Sequence, residues 1–174
     1  MLDCLKFSRE VSSTFLFANY KLTHQGGNMK ESKNIRLAKE HYQAEAVIVW
    51  CYDHRAWQAL LDFLKEQGIQ DFDLVSIAGG VKSLASPAKE SDRDFVLGQI
   101  ATSARLHHTQ KVILMNHADC GGYGGSEACG GAGEKEFAFH VLELEKAGAK
   151  VREVLPDLSV EKVIVTFKGA TILD

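Results

Sequence analysis

The chain has 174 residues, of which 45% are hydrophobic and 25% are charged, and its formal net charge is −3. This length and composition are typical of one globular domain, and a slightly acidic chain lacks the basic surface typical of nucleic-acid binding. No apolar run approaches the length of a membrane span, and we find no secretory signal pattern. A chain of this size does not need its four cysteines as disulfides. We therefore expect a cytoplasmic protein that binds neither nucleic acid nor membrane.

The first 28 residues fit the rest of the chain poorly. They show no clear helical or strand period, and Gln25-Gly26-Gly27-Asn28 directly precedes Met29. Such a tetrapeptide can be encoded by a purine-rich stretch that resembles a ribosome-binding site. We therefore interpret residues 1–28 as an N-terminal extension with Met29 as a candidate natural start, or as an arm that packs on a partner subunit. Residues 29–174 are expected to form a single domain.

Four apolar runs predict buried strands, at about residues 45–51, 72–78, 111–117 and 162–167. Each run is nearly continuous in its apolar character, which is typical of strands buried on both faces. Helical patterns lie between the runs. Strands that alternate with helices predict an α/β fold with a mainly parallel central sheet that is flanked by helices.

Three helical patterns separate the predicted strands. The first carries apolar residues at helical spacing and is stopped by Gly68; its residues are Trp57, Leu60, Leu61 and Leu64. Ser91 and Asp94 form a candidate capping box for a second helix that runs to about His108. The third helix is expected to end near Gly148.

Thiol and imidazole side chains stand where two of the predicted strands end. The first strand runs into Cys51, and the third strand runs into His117, with Cys120 three residues further on. The carboxyl ends of parallel strands are where ligands usually bind in α/β sheets. Two thiols and an imidazole make a soft pocket that suits zinc, with one coordination position left for chemistry.

The stretches Cys51-Tyr52-Asp53-His54-Arg55 and His117-Ala118-Asp119-Cys120-Gly121-Gly122 resemble the two zinc motifs of the β-class carbonic anhydrases. Both C-x-D-x-R and H-x-x-C-G are present in the family's order, and the resemblance covers roughly residues 33–170. It implies a sheet of strand order 2-1-3-4 and a homodimer or dimer of dimers. The N-terminal helical arms of the family would be reduced to about residues 31–43.

The resemblance also implies the chemistry. Cys51, His117 and Cys120 would bind Zn²⁺, and Asp53 and Arg55 would form a catalytic dyad. In that family the arginine holds the aspartate off the metal, and a closed, inactive form arises when the aspartate becomes the fourth ligand. The implied reaction is the reversible hydration of CO2 to bicarbonate by metal-bound hydroxide, with the proton leaving through Asp53 or His54.

Small residues are expected to line the cleft beside the metal. Ala78-Gly79-Gly80 ends the second strand and resembles the family's A-G-G/N segment, and Gly121 and Gly122 would let backbone amides approach the Cys120 sulfur. The family commonly has Arg-Asn before its A-G-G/N segment, whereas this chain has Ser76-Ile77. Substrate access, bicarbonate handling or subunit contacts could therefore differ.

Alternative functions stay open at this stage. A hydrolase of CS2 or COS would keep the hydroxide and change the substrate. A non-catalytic, zinc-stabilised structural or regulatory domain would use Asp53 to close the metal permanently, although such a site would not need Arg55. The two cysteines could also be buried apolar residues or a redox pair, and a redox pair would show little metal and reversible oxidation of Cys51 and Cys120.

Several other polar residues are interpreted as structural. Cys129 lies in a glycine-rich loop and is read as a stray thiol or an alternative ligand. His54 could shuttle protons, or it could be an exposed turn residue. Lys82 is read as a solvated loop residue, with positive charge near the cleft as the alternative. The remaining histidines are read as structural or solvent-facing: His24, His41, His107, His108 and His140.

Overall fold

The computed structural model describes residues 40–173, and a five-stranded sheet organises this part of the chain. Its strands are β1 (Ala46–Cys51), β2 (Phe72–Ile77), β3 (Lys111–His117), β4 (Ser159–Thr166) and β5 (Gly169–Leu173). The spatial order is β2-β1-β3-β4-β5; the first four strands are parallel, and β5 pairs antiparallel with β4. The predicted α/β fold with a mainly parallel sheet is confirmed, and β5 is an addition to it.

Helices connect the strands and cover the sheet. In the described part of the chain they are α1 (Trp57–Glu66), α2 (Lys82–Ala85), α3 (Glu90–His107), α4 (Gly125–Ala128) and α5 (Glu134–Val154). Short 3-10 turns at His54–Ala56 and Gly121–Tyr123 follow β1 and β3. Both turns therefore stand at the carboxyl-end edge of the sheet, where the predicted ligands lie. None of the helices in residues 40–173 has the length and apolar character that a membrane span requires.

Two apolar clusters hold the helices on the sheet. Because successive strand residues point to opposite faces, Val47 and Val49 of β1 pack with α3 and α5, whereas Ile48 and Trp50 pack against α1. All six residues of β1 are buried, as expected for a central strand of a sheet that is covered on both faces. The apolar strands thus fix where Cys51, at the end of β1, is placed.

Two of the predicted helix ends are wrong. Helix α3 begins at Glu90 after Lys89, without a side-chain cap, so Ser91 and Asp94 do not form a capping box. Helix α5 continues past Gly148, which is buried where an added Cβ would lie 3.5 Å from Val160 of β4. A glycine at a helix–strand contact is tolerated by packing. The helix ends instead at Val154, because Pro156 disfavours helical backbone at the residue before it, Leu155.

Strand β5 was missed because it is a short edge strand, although its residues Ala170, Ile172 and Leu173 are apolar. Four of its five residues are exposed, so it carries no run of buried side chains. Thr166 pairs with Gly169 across a two-residue turn, and Gly169 has a φ of 137°. The proposed extension, residues 1–28, and most of the proposed arm lie outside the described residues, and the division at Met29 stays a prediction.

Core packing around β3 predicts a test of the fold. Leu114 is fully buried between α3 and α5. Leu114→Ala is expected to lower the free energy of unfolding by about 2–5 kcal/mol, because it removes buried surface and leaves a cavity. Leu142→Ala is the matched control: Leu142 is 61% exposed on α5, and the expected change is within about 0.5 kcal/mol. Urea unfolding measures both, and equal losses would contradict the described packing.

Candidate metal centre

The three predicted ligands meet at the carboxyl ends of β1 and β3. These strands pair in parallel, so Cys51 and His117, their last residues, lie at one edge of the sheet. The turn after β3 returns Cys120 to the same place. The ligand-capable atoms of the three side chains lie within 4.8 Å of one another, with 3.8 Å between the two sulfurs, and all three residues are buried.

His117 presents a free ring nitrogen to this cluster. Its Nδ1 lies 2.9 Å from the carbonyl oxygen of Ala118, so Nδ1–H donates there and the other nitrogen is left unprotonated in the neutral ring. Nε2 is buried and has no hydrogen-bond partner. A buried polar atom without a partner is costly. Two sulfurs and one oriented imidazole nitrogen therefore fit a zinc ion, which binds such donors tetrahedrally.

The pair of thiols, Cys51 and Cys120, loses a first proton easily and a second proton only with difficulty. The Cys120 thiol donates to the Cys51 sulfur, and this bond is the largest cause that lowers the pKa of Cys51. The neighbouring His117 ring and the amides of Asp53 and Gly79 add to the effect, and burial opposes it. The thiolate of Cys51 and burial raise the pKa of Cys120 well above its usual range. A cation in the pocket would offset this second deprotonation.

Arg55 holds the carboxylate of Asp53 through four hydrogen bonds. The backbone amide of Arg55 donates to Oδ1 at 3.0 Å, Nε donates to both oxygens at 3.1 and 3.2 Å, and Nη2 donates to Oδ2 at 2.7 Å. These bonds lower the pKa of Asp53 to about 2, with the side-chain bonds as the largest cause. The aspartate is therefore ionised at neutral pH and is held in place by its neighbour.

Asp119 is a third member of this charged group that the sequence analysis missed. Arg55 Nη1 donates to Asp119 Oδ2, and Nη2 donates to the Asp119 carbonyl, both at 2.9 Å. These bonds lower the pKa of Asp119. Arg55 thus joins the turn after β1 to the turn after β3. A signal was present, since Asp119 fills a variable position inside the H-x-x-C stretch.

Glu136, near the start of α5, holds the backbone of Asp119 in position. Asp119 has a φ of 53°, which is unusual for a residue with a side chain. Its backbone amide donates to Glu136 Oε1 at 2.7 Å, and the Ser126 hydroxyl lies 3.0 Å from both oxygens of Glu136. Glu136 is only 3% exposed. No local sequence pattern marks this role, because it depends on α5 packing beneath the loop.

An open cleft of ≈ 630 Å³ leads to Cys51. Its lining is formed by Cys51, Tyr52, Asp53, His54, Ala78, Gly121 and Gly122. Tyr52 and His54 are exposed, and Ala78 is exposed at the rim. The small residues leave space beside Cys51, and the backbone amide of Gly122 donates to the Cys120 sulfur.

Gly79 and Gly80 lie behind the cleft and are buried. Gly80 has a φ of 55°, and a Cβ added there would stand 2.7 Å from the Met115 carbonyl oxygen. Gly122 approaches Gly79 so closely that a Cβ on Gly122 would lie 2.4 Å from the Gly79 nitrogen. These glycines let the turn after β2 and the turn after β3 pack directly on each other.

Lys82 is not the solvated residue that the sequence suggested. Its Nζ donates to the Gly122 carbonyl at 2.7 Å and lies 5.5 Å from the centre of the Tyr123 ring. Positive charge therefore stands behind the cleft wall. The side chain of Lys82 also fastens α2 to the turn after β3, which supports the position of Cys120.

Within residues 40–173, Cys129 and four further histidines lie apart from this cluster. Cys129 groups with Glu136 and His140 rather than with Cys51. His107 Nδ1 pairs with Asp73 at 2.8 Å, and His140 is fully buried, while His41 and His108 are exposed. His24 lies outside the described residues.

The sequence matches a family model and is similar to proteins of two Rickettsia species. Residues 41–171 match the model of a family described as "Putative carbonic anhydrase". An uncharacterised protein of Rickettsia conorii is 26% identical over 148 residues, which is 80% of this chain and 79% of the relative. An uncharacterised protein of Rickettsia bellii is 26% identical over 147 residues, which is 80% of this chain and 90% of the relative.

Solved structures share the fold. The β-carbonic anhydrase isoform I of Trichomonas vaginalis superposes with a TM-score of 0.51 at 17% identity, over 91% of this chain and 90% of that chain. The carbonic anhydrase of Streptococcus mutans superposes with a TM-score of 0.52 at 15% identity, over 77% of this chain and 84% of that chain.

The contact between Gly122 and Gly79 yields a test of the local geometry. Gly122→Ala is expected to lower the free energy of unfolding by about 1–3 kcal/mol, because its methyl group would overlap backbone atoms of Gly79. Gly121→Ala is the matched control, since a Cβ at Gly121 meets nothing within 4 Å. Urea unfolding of the two variants gives the comparison. A Gly122→Ala protein as stable as Gly121→Ala would refute the described contact.

Proposed function

Since the chain belongs to the carbonic anhydrase family whose model it matches, we propose that it catalyses the reversible hydration of CO2 to bicarbonate with zinc. Cys51, His117 and Cys120 would hold the ion. The observation that carries this proposal is that Arg55 makes four hydrogen bonds to the carboxylate of Asp53. An aspartate held in this way leaves a fourth position for water.

The protein prepares its three ligands before any ion arrives. When bound, zinc would supply Lewis acidity, which lowers the pKa of water. Backbone amides of Asp53 and Gly79 donate to the Cys51 sulfur, and those of Gly122 and Tyr123 donate to the Cys120 sulfur. Such bonds stabilise thiolates and reduce the charge that they place on the metal. They favour acidification of water at a site that is formally neutral with two thiolates.

Asp53 acts by orientation in this proposal. A base works best when its pKa lies near the operating pH, and Arg55 lowers the pKa of Asp53 to about 2. The carboxylate of Asp53 therefore accepts a hydrogen bond from the reacting water and directs its lone pair toward the substrate. His54, exposed on the wall of the cleft, would pass the proton to buffer.

The cleft suits a small, uncharged substrate. Its lining includes Ala78, Gly121 and Gly122, which present little polar side-chain surface to CO2. The ammonium of Lys82 lies behind this wall, where it donates to the Gly122 carbonyl, and its positive charge would favour an anionic product. A permanently closed, non-catalytic site would require Asp53 to leave Arg55, at the loss of its hydrogen bonds.

Asp53→Asn tests the orienting role. We expect kcat/KM for CO2 hydration to fall by about 10–100-fold with zinc content unchanged, because the asparagine amide also donates and no longer fixes the water. Asp62→Asn is the control, since Asp62 lies on the exposed face of α1 and contacts Gln58. Stopped-flow hydration with metal analysis measures both. Wild-type protein that is fully loaded with zinc but does not hydrate CO2 would refute the proposal. If that protein turned over CS2 or COS, the related hydrolase activity would be favoured.

Arg55→Gln tests whether the arginine acts through Asp53. The substitution frees the carboxylate to occupy the metal's fourth position, so activity at pH 7 is expected to fall while zinc is retained. In the Asp53→Asn background the same substitution should cost little more, because coupled residues are not additive. A double-mutant cycle measures this coupling. Losses that multiply would show that Arg55 acts independently of Asp53.

The assembly and location remain expectations. A homodimer or dimer of dimers follows from the family resemblance, as does a cytoplasmic setting for a protein with thiolate ligands. Sedimentation equilibrium of the full chain measures the assembly directly.

A further inference from the structure

A second group of metal-ligating side chains lies apart from the candidate metal centre. The ligand-capable atoms of Cys129, Glu136 and His140 lie within 4.8 Å of one another. The three residues are 5%, 3% and 0% exposed. One thiol, one carboxylate and one imidazole thus converge in the interior.

The local structure explains the convergence. Glu136 and His140 stand four residues apart in the first turns of α5, so they share one face of the helix. Cys129 directly follows α4, and its amide donates to the Ser126 carbonyl at 3.0 Å. The loop from Cys120 to Gly133 thereby folds back over the start of α5.

His140 points an unpaired nitrogen into this group. Its Nε2 is buried, has no hydrogen-bond partner and lies 3.9 Å from Glu136 Oε1. The ring is enclosed by Tyr123 and Phe139, whose centroids lie 5.1 and 5.5 Å away. A fully buried imidazole with an unsatisfied nitrogen is costly unless something binds there.

We propose that Cys129, Glu136 and His140 form a second metal site, which takes a divalent transition-metal ion of borderline softness such as zinc. A thiolate and a carboxylate neutralise a divalent cation, so the loaded site carries no net charge into the interior. The mixed sulfur, nitrogen and oxygen donors are those that zinc accepts.

The electrostatic setting favours a cation. Burial, followed by the carboxylates of Glu136 and Glu143, raises the pKa of the Cys129 thiol. The two carboxylates place negative charge near Cys129, and a divalent ion would offset it when the thiol loses its proton.

Each ligand retains the capacity that coordination needs. Glu136 accepts the Asp119 amide at Oε1 and the Ser126 hydroxyl at both oxygens, but a carboxylate has about four acceptor sites. Coordination through His140 Nε2 places the ring proton on Nδ1, which lies 3.3 Å from the Asn116 amide group. Once its amide turns over, the Asn116 oxygen accepts a hydrogen bond from Nδ1–H, at the loss of a 3.4 Å bond from the Val81 amide and a 3.5 Å bond to the Tyr123 hydroxyl.

An opening leads to the group from solvent. A cavity of ≈ 470 Å³ is lined by Glu136 and His140 together with residues of β4, including Ile164 and Thr166. An ion can therefore reach Glu136 and His140 without passing the cleft at Cys51. The bound ion would fasten α5 to the loop that carries Asp119 and Cys120, which gives the site a structural role.

Metal analysis of the full chain tests the second site. After zinc loading and dialysis, the wild-type protein should hold two zinc ions per chain. Cys51→Ser, Cys129→Ser and His140→Gln should each hold one, and the Cys51→Ser/Cys129→Ser double variant none. His107→Gln is the matched control, since His107 pairs with Asp73 elsewhere in the fold, and it should hold two.

Cobalt titration of the unmodified protein tests the same claim without relying on a variant that folds. The near-ultraviolet absorbance of the thiolate-to-cobalt charge-transfer band increases with the number of sulfurs that bind the ion. Two cobalt ions should bind, and the ion at Cys129 should add half the absorbance of the ion at Cys51 and Cys120. Saturation at one equivalent, or one zinc that Cys51→Ser removes and Cys129→Ser leaves in place, would overturn the second site and leave the proposed function intact.

Discussion

The parallel pairing of β1 with β3 is the constraint on which the candidate metal centre depends. Each strand is buried on both faces, so neither can shift its register without exposing apolar side chains to solvent. Cys51 and His117 are the last residues of these strands, and their separation is therefore set by the core rather than by the loops. The site inherits the rigidity of the sheet, which is what a metal centre with fixed ligand geometry requires.

Arg55 then couples the two strand ends through charge. Its guanidinium contacts Asp53 on its own turn and both the carboxylate and the carbonyl of Asp119 on the other. Asp119 is held in turn by Glu136 at the start of α5. The orientation of Asp53 thus rests on three elements, and the dyad expected from the sequence is part of a larger chain of contacts that reaches the second cluster.

The sequence predicted the parts of this arrangement that depend on local residue patterns. Continuous apolar runs predicted the parallel strands. Their last residues predicted two of the converging ligands, Cys51 and His117, and the H-x-x-C stretch predicted the third, Cys120. Strand β5 was missed because its residues are exposed and only its pairing with β4 marks it. Gly148 was misread as a helix end because its packing on β4 is a tertiary contact. The hydrogen bond between Glu136 and Asp119 is also a tertiary contact, and no periodic pattern in the sequence indicates it.

In the proposed function, Cys51, His117 and Cys120 bind one zinc ion while Asp53 remains on Arg55. Anomalous diffraction at the zinc edge, from crystals of the zinc-loaded chain at neutral pH, would locate the ion. We expect a zinc peak at about 2.3 Å from both sulfurs and about 2.0–2.1 Å from His117 Nε2, with the carboxylate of Asp53 on Arg55. A map without zinc between these residues, or with Asp53 in the coordination shell, would contradict it.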